Sequence, residues 1–159
     1  MRNLLVLFVV LFAFGCKDKS AKEAEDDDPA LSFVADGAKE GVEKIKAAIA
    51  AGKPGDAIFK CAHTANIDTL KNSKPHAALA AELEQLCNVD LPLAMITKGV
   101  EEAETARKAK PDDKVLSECF NAYMSTAYDE MKKAKTEAKA KDALARFAVV
   151  CPEQAGDFK

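Results

Sequence analysis

The chain has no tryptophan, two tyrosines and two histidines among its 159 residues. With so few aromatic side chains, none alternating with Lys or Arg, it lacks the stacking platform and basic stripe of a nucleic-acid binder. The net charge of −3, spread as lysines interleaved with acidic residues, argues the same way. Alternating runs of valine, isoleucine and threonine between turn residues are missing beyond residue 16, which removes the usual strand signal. There is no zinc-ribbon cysteine pair, no CxxCH haem attachment, no HExxH and no glycine-rich phosphate loop. These gaps leave no catalytic signature, and the expectation is a non-enzymatic protein without a cofactor. Long hydrophobic runs are also missing. The apolar stretch Leu4 to Phe14 has eleven residues, well short of the roughly 20 that a spanning helix needs.

What is there starts with that short stretch. Arg2 supplies a positive end, the apolar segment follows, and small residues Ala13 and Gly15 precede Cys16, the layout of a cleaved signal peptide over residues 1–15. Leu11-Phe12-Ala13-Phe14-Gly15-Cys16 resembles the lipobox of bacterial lipoproteins. The resemblance implies cleavage before Cys16 and acylation of that cysteine, which becomes a lipid anchor. The chain departs from the pattern at Ala13, where the family usually has leucine, and Ala13 with Gly15 also suits ordinary secretory cleavage. Cysteine parity favours the lipid. Of the five cysteines, Cys16, Cys61, Cys87, Cys119 and Cys151, acylating the first leaves an even set of four for an oxidising compartment. In the lipoproteins it resembles, aspartate after the cysteine often retains the protein in the inner membrane. Lys17 stands there instead, which implies the outer membrane of the cell envelope, with the domain in the periplasm or at the surface.

Residues 16–28 read as the lipidated cysteine and a disordered tether. Lys17 to Asp28 holds three lysines and six acidic residues with no aromatic or β-branched side chain, too little apolar surface to offset the cost of ordering it. The Asp26 to Asp28 run lacks the glycine turn and spaced ligands of a calcium loop.

Residues 29–159 make one domain, rich in alanine, lysine, glutamate and leucine, which is helix chemistry. Asp28-Pro29 opens the first helix, and Leu31, Val34, Ala38, Val42, Ile45 and Ile49 recur at helical spacing until Gly52. Gly37 and Gly41 within it have a spacing that lets another helix approach closely. A second helix is predicted from Pro54 to about Lys71, with Ile58, Phe59, Cys61, Ile67 and Leu70 on its apolar side. Asn72 to Pro75 forms a turn. A third helix runs to Cys87, and a fourth opens at Asp90 to Pro92 and carries Leu93, Ile96, Val100 and Ala103. Glu104 and Lys108 form an i,i+4 charge pair in it. Asp112 and Asp113 are candidate caps for a fifth helix with Leu116, Phe120, Tyr123, Ala127, Met131 and Ala134 as its stripe. A sixth, Lys139 to Cys151, carries Leu144, Phe147, Ala148 and Val150.

Nothing from Lys135 to Asp142 breaks a helix by composition, so the last two segments allow one long rod. The cysteines argue against it. In an antiparallel hairpin, facing residues lie equally far from the turn. The midpoint of Cys61 and Cys87 is residue 74, inside the Asn72 to Pro75 turn, and that of Cys119 and Cys151 is residue 135. An unbroken helix would hold the second pair about 48 Å apart, against a limit near 7 Å between bridged Cα atoms. Of three possible connectivities, the prediction is Cys61 with Cys87 and Cys119 with Cys151. The fold class is all-α, a bundle of five to six helices built from two disulfide-stapled antiparallel hairpins. Cys61 to Pro92 and Cys119 to Pro152 are readable either as a divergent duplication or as independent stapling.

Cys61-Ala62-His63 invites a thiol–imidazole idea, but residues two apart on an α-helix point about 200° apart. His63 is the one candidate metal ligand, set against a plainer role as a half-buried hydrogen-bonded side chain. His76 sits near the first hairpin turn, where exposure is expected. Met95, Met124 and Met131 read as core filler ahead of soft-metal ligands. The functional expectation is a membrane-anchored envelope lipoprotein whose helical domain has a structural role or binds another envelope protein, or a small amphipathic ligand, in a groove between the two rigid hairpins. The alternative is a periplasmic carrier of a small ligand or metal in the bundle interior.

Overall fold

A computed structural model describes residues 29–114 and 116–158, with the side chains of 62–66 outside that description. The signal segment, Cys16 and the tether lie outside the described residues, as does the His63 side chain. Among the described residues every element is helical, and no helix is long and apolar enough to cross a membrane.

Helix α1 spans Pro29–Ala50 and buries Ala35, Ala38, Val42 and Ile45. Gly52 ends it with φ of 66°. Its N–H reaches the Ile49 carbonyl at 3.0 Å and the Lys53 N–H reaches Ala48 at 2.9 Å, the paired bonds of a Schellman cap. The segment expected as a second helix has the predicted extent but a different geometry. Pro54–Asn66 winds as a 3-10 helix, and only Ile67–Lys71, α2, is α-helical. At three residues per turn, side chains three apart share a face. Pro54 with Ala57, and Ile58 with Cys61, therefore turn inward, while Phe59 is carried outward to 79 % exposure instead of joining the apolar side.

Past the turn, α3 covers Ala77–Gln85. His76 precedes it, half-buried where exposure was expected. The predicted break between the third and fourth helices is absent. The backbone stays helical through Leu86–Asp90, widened into one π-turn in which the Leu91 N–H donates to the Leu86 carbonyl, and continues as α4, Leu91–Ala109. Pro92 explains the widening: it has no N–H for an α-helical bond, and shifting the hydrogen-bond offset lets the rod pass through proline without ending.

The second half corrects the fifth helix in phase. A short 3-10 turn, Ser117–Phe120, precedes α5, Ala122–Lys133, and Asn121 is the cap. Its side-chain oxygen accepts from the Tyr123 and Met124 N–H groups at 3.0 and 3.2 Å, the role foreseen for Asp112 or Asp113. Restarting the helix at Asn121 places Met124, Ala127, Tyr128 and Met131 inside and leaves Phe120 and Tyr123 exposed. Between α5 and α6, Lys141–Val150, the chain does turn. Lys135 adopts φ of 57°, its N–H reaches the Lys132 carbonyl at 3.1 Å and the Thr136 N–H reaches Met131 at 2.8 Å. That is a second Schellman cap with lysine where glycine is usual.

Both predicted disulfides are present, Cys61–Cys87 and Cys119–Cys151, with Cα separations of 5.5 and 5.7 Å. Each constrains the unfolded chain by about 3.5 kcal/mol. The protein is thus an all-α bundle of two stapled hairpins. Helix α4 is its axis: Ile96, Val100 and Ala103 are fully buried, and α4 packs on α5, α6 and the Pro54–Asn66 helix. At Gly99 the α5 side chain Met124 occupies the space a Cβ would need. The chain end closes the second hairpin as Phe158 sets its ring edge-on against Tyr128 and Phe147, with centroids 5.5 and 5.2 Å away.

Candidate functional site

A concave surface follows α4. Its floor is Leu91, Pro92 and Met95, continuing to Gly99. One wall is the Pro54–Asn66 helix and the other is α5. Both walls run antiparallel to α4, since Cys61 and Glu130 lie at the Asn88 end while Pro54 and Asn121 lie at the Gly99 end. Two hollows lie along this groove and share Met95 in their linings, one of about 330 Å³ beside the Cys61–Cys87 bridge and one of about 320 Å³ beside Tyr123. From Asn88 to Glu102 the floor is about 21 Å long at helical rise.

Local sequence explains its shape. The 3-10 winding narrows the first wall and pins Cys61 against the π-turn, while the Asn121 cap starts the second wall so that Ala127 faces in and Thr126 and Glu130 stand at the rim. Apolar floor, a disulfide wall and a few polar rim groups is the usual chemistry of a recognition site. The tips carry charge of both signs, Lys53, Lys98, Asp56 and Glu102 at one end and Glu130 at the other. A π-turn in such a floor recurs at functional sites.

A second groove, about 310 Å³, lies along α1 between Phe33, Gly37, Gly41, Lys44, Lys60 and Leu83. Gly37 and Gly41 have nothing within 4 Å of a Cβ position among the described residues, where no helix uses the close approach that their spacing allows.

The perturbed titrations belong to ion pairs and local hydrogen bonds on the surface. Lys44 holds the Glu40 carboxyl below its ordinary range, chiefly by hydrogen bonding. Arg146 does the same to Glu104, through two bonds of 2.9 and 2.7 Å that join α6 to α4. Glu104 thus pairs across helices with Arg146, where Lys108 was expected. Glu118 is lowered by its own backbone N–H and then by Ser117. Lys71 and Lys133 are raised by hydrogen bonds to Glu84 and Glu130.

The four core cysteines are brought together in the two predicted pairs. Among the described residues no three His, Cys, Asp or Glu side chains converge as a metal-ligand set would. His63 belongs to the 3-10 helix, with its side chain outside the described residues. Met124 and Met131 are fully buried filler, and Met95 forms groove floor. A groove between the hairpins was expected from sequence, but the residues that line it were not. Its three elements span residues 54 to 130, and the one local signal was a proline within a helical pattern. No protein family, curated protein or solved structure matches this chain.

Proposed function

We propose that the protein is a lipid-anchored lipoprotein of the bacterial envelope whose helical domain is a non-catalytic binding module, engaging another envelope protein along the α4 groove. The observation that carries the reading is the groove: a trough about 21 Å long, apolar at its centre and charged at its tips, between two walls, one of them fastened to the floor by a disulfide. A pre-formed trough of this kind receives a segment of a partner without first having to order its own backbone. The lipobox-like Ala13 to Cys16 supplies the anchor, and the acidic stretch to Asp28 sets the reach. With Lys17 after the cysteine, the outer membrane is the location proposed, the domain facing periplasm or exterior.

The test is a photo-reactive amino acid placed at Tyr123 or Thr126, both exposed at the groove, in the native host. The control is Val149, 83 % exposed and outside the groove. A single envelope protein captured from both groove positions and not from Val149 supports docking; equal capture from all three removes it. Intact mass from host membranes tests the anchor through acyl chains on Cys16.

The carrier reading has one observation in its favour. The hollow beside the bridge, about 330 Å³, falls at the small end of ligand pockets. A small amphipathic compound recovered in stoichiometric amount from the native protein, with no cross-linked partner, would select it.

A further inference from the structure

The two disulfides differ in a way that topology does not explain. Their sequence separations, 26 and 32 residues, close loops of nearly equal entropy. Their surroundings are unlike. Cys119 and Cys151 are 5 % and 0 % exposed, and the loop that leads away from Cys151 carries Phe158 back onto the core. Cys87 is 6 % exposed, much like Cys119, but Cys61 is half-buried, and both Cys61 and Cys87 line an open cleft of about 330 Å³. The cleft also borders Ile58, Leu91 and Met95, so a thiol-bearing side chain can enter without the core opening.

The backbone on either side of this bridge is unusual too. Cys61 sits in a 13-residue 3-10 helix and Cys87 in a π-turn. A 3-10 run normally ends within three or four residues, because its hydrogen bonds are poorer than those of an α-helix. The bridge ties one of these conformations to the other. Opening it frees Pro54–Asn66 to change its winding, which stabilises the reduced form relative to that of a bridge between ordinary helices.

We infer that Cys61–Cys87 is an exchangeable, redox-active disulfide, opened by a dithiol that enters the cleft, whereas Cys119–Cys151 is a permanent cross-link. The attacking thiolate bonds to Cys61 Sγ and the Cys61–Cys87 bond breaks. The electron pair leaves on Cys87 Sγ, which takes up a proton. The second thiol of the reductant then displaces Cys61, releasing it as a thiol. The dithiol has become a disulfide, and two electrons and two protons have passed to the cysteine pair. Attack falls on Cys61 because it is the more exposed of the two. Opening the bridge detaches one wall of the α4 groove from its floor, so the redox state of this pair controls the groove's shape.

The experiment uses the full oxidised chain in its native fold. Graded dithiothreitol, an alkylating quench and a peptide map report the opening of each bridge separately. The expected result is labelling of Cys61 and Cys87 at least ten-fold faster than Cys119 and Cys151, with hydrogen exchange rising over 54–66 and 86–90 while α5 and α6 keep their protection. A single common rate, or earlier opening of Cys119–Cys151, overturns the proposal. Brief exposure to the monothiol glutathione followed by acid quench locates the attacked sulfur. An adduct on Cys61 is expected, and an adduct confined to Cys87 overturns the access argument. These readouts are independent of docking: selective opening stands even where no partner is captured, and a captured partner does not rescue bridges that open together.

Discussion

The Thr136 hydroxyl donates to the Asn88 carbonyl at 2.8 Å, linking the second hairpin's turn to the π-turn in the central rod. Asn88 lies four residues before Pro92, so in a regular α-helix its carbonyl would receive the one N–H that proline lacks. A hydroxyl has a single proton. The Met131 carbonyl, 3.3 Å from the same oxygen, already accepts the Thr136 N–H at 2.8 Å, so the proton belongs to Asn88. Thr136→Val keeps the shape and removes the donor, and is expected to cost about 1 to 2 kcal/mol. Pro92→Ala restores a backbone donor, so in that background the same substitution should cost less. Denaturant melts of the four proteins in this cycle measure the coupling, and purely additive effects would refute the arrangement.

Helical glycines carry opposite predictions. Gly37 and Gly41 have open space at the Cβ position, so alanine at either should raise stability by about 0.5 to 1 kcal/mol through backbone entropy alone. Gly99 meets Met124, which is fully buried, so a Cβ there has to displace a packed side chain. Overpacking there costs about 1 to 3 kcal/mol, outweighing the same propensity gain. Thermal melts should show Gly37→Ala and Gly41→Ala above the parent and Gly99→Ala below it.

The contrast between these positions shows what sequence carries. Start, stop and staple signals were legible: Pro29 and Gly52 bracket α1, and the cysteine midpoints locate both hairpin turns, the second at Lys135 itself. What escaped is the hydrogen-bond offset of the backbone. Apolar spacing around Phe59 fits an α-helix, and nothing local announces the 3-10 winding that turns its ring outward. Pro92 was read as a helix start, because the carbonyl that a rod continuing through proline leaves without its N–H is met by Thr136, 44 residues on. Asn121 competes as a cap with Asp112 and Asp113 on equal local terms, and choosing it resets the phase that exposes Phe120 and Tyr123. A groove between hairpins was foreseeable, but its lining was illegible because it is a relation among three segments.

Arg107 should matter more than its half-exposed position on α4 implies. Its Nε and Nη2 donate to the Val150 carbonyl, the last of α6, at 3.3 and 2.9 Å, and Nη1 donates to the Asp113 carbonyl. One planar guanidinium thus ties the end of α4, the following loop and the C-terminus of α6, where a cation also meets the negative end of the helix dipole. Arg107→Met is expected to lose about 2 to 3 kcal/mol. Arg107→Lys should recover less than half, since an ammonium on a flexible stem lacks the fork that reaches two carbonyls at once. Urea melts distinguish the three proteins, and a lysine variant equal to the parent would reduce the site to simple charge.

Acid should loosen the contact between α4 and α6 through Glu104. Hydrogen bonding from Arg146 holds this carboxyl below its ordinary range, so the folded state binds its proton less readily than the unfolded chain does. The resulting stabilisation is complete above the unfolded pKa, near 4.3, and is lost as pH falls through the lower folded value. Glu40, held down by Lys44, and Glu118, held down by its own N–H and Ser117, act in the same window and with the same sign. All three pairings face solvent, so salt should shrink the effect. Glu104→Gln removes one titration while keeping a side chain that can accept from Arg146. Its stability between pH 5 and pH 2 should therefore fall less steeply than the parent's, with the two curves converging at the acid end. A parent and variant with parallel acid limbs would mean that Arg146 does not hold Glu104 in solution.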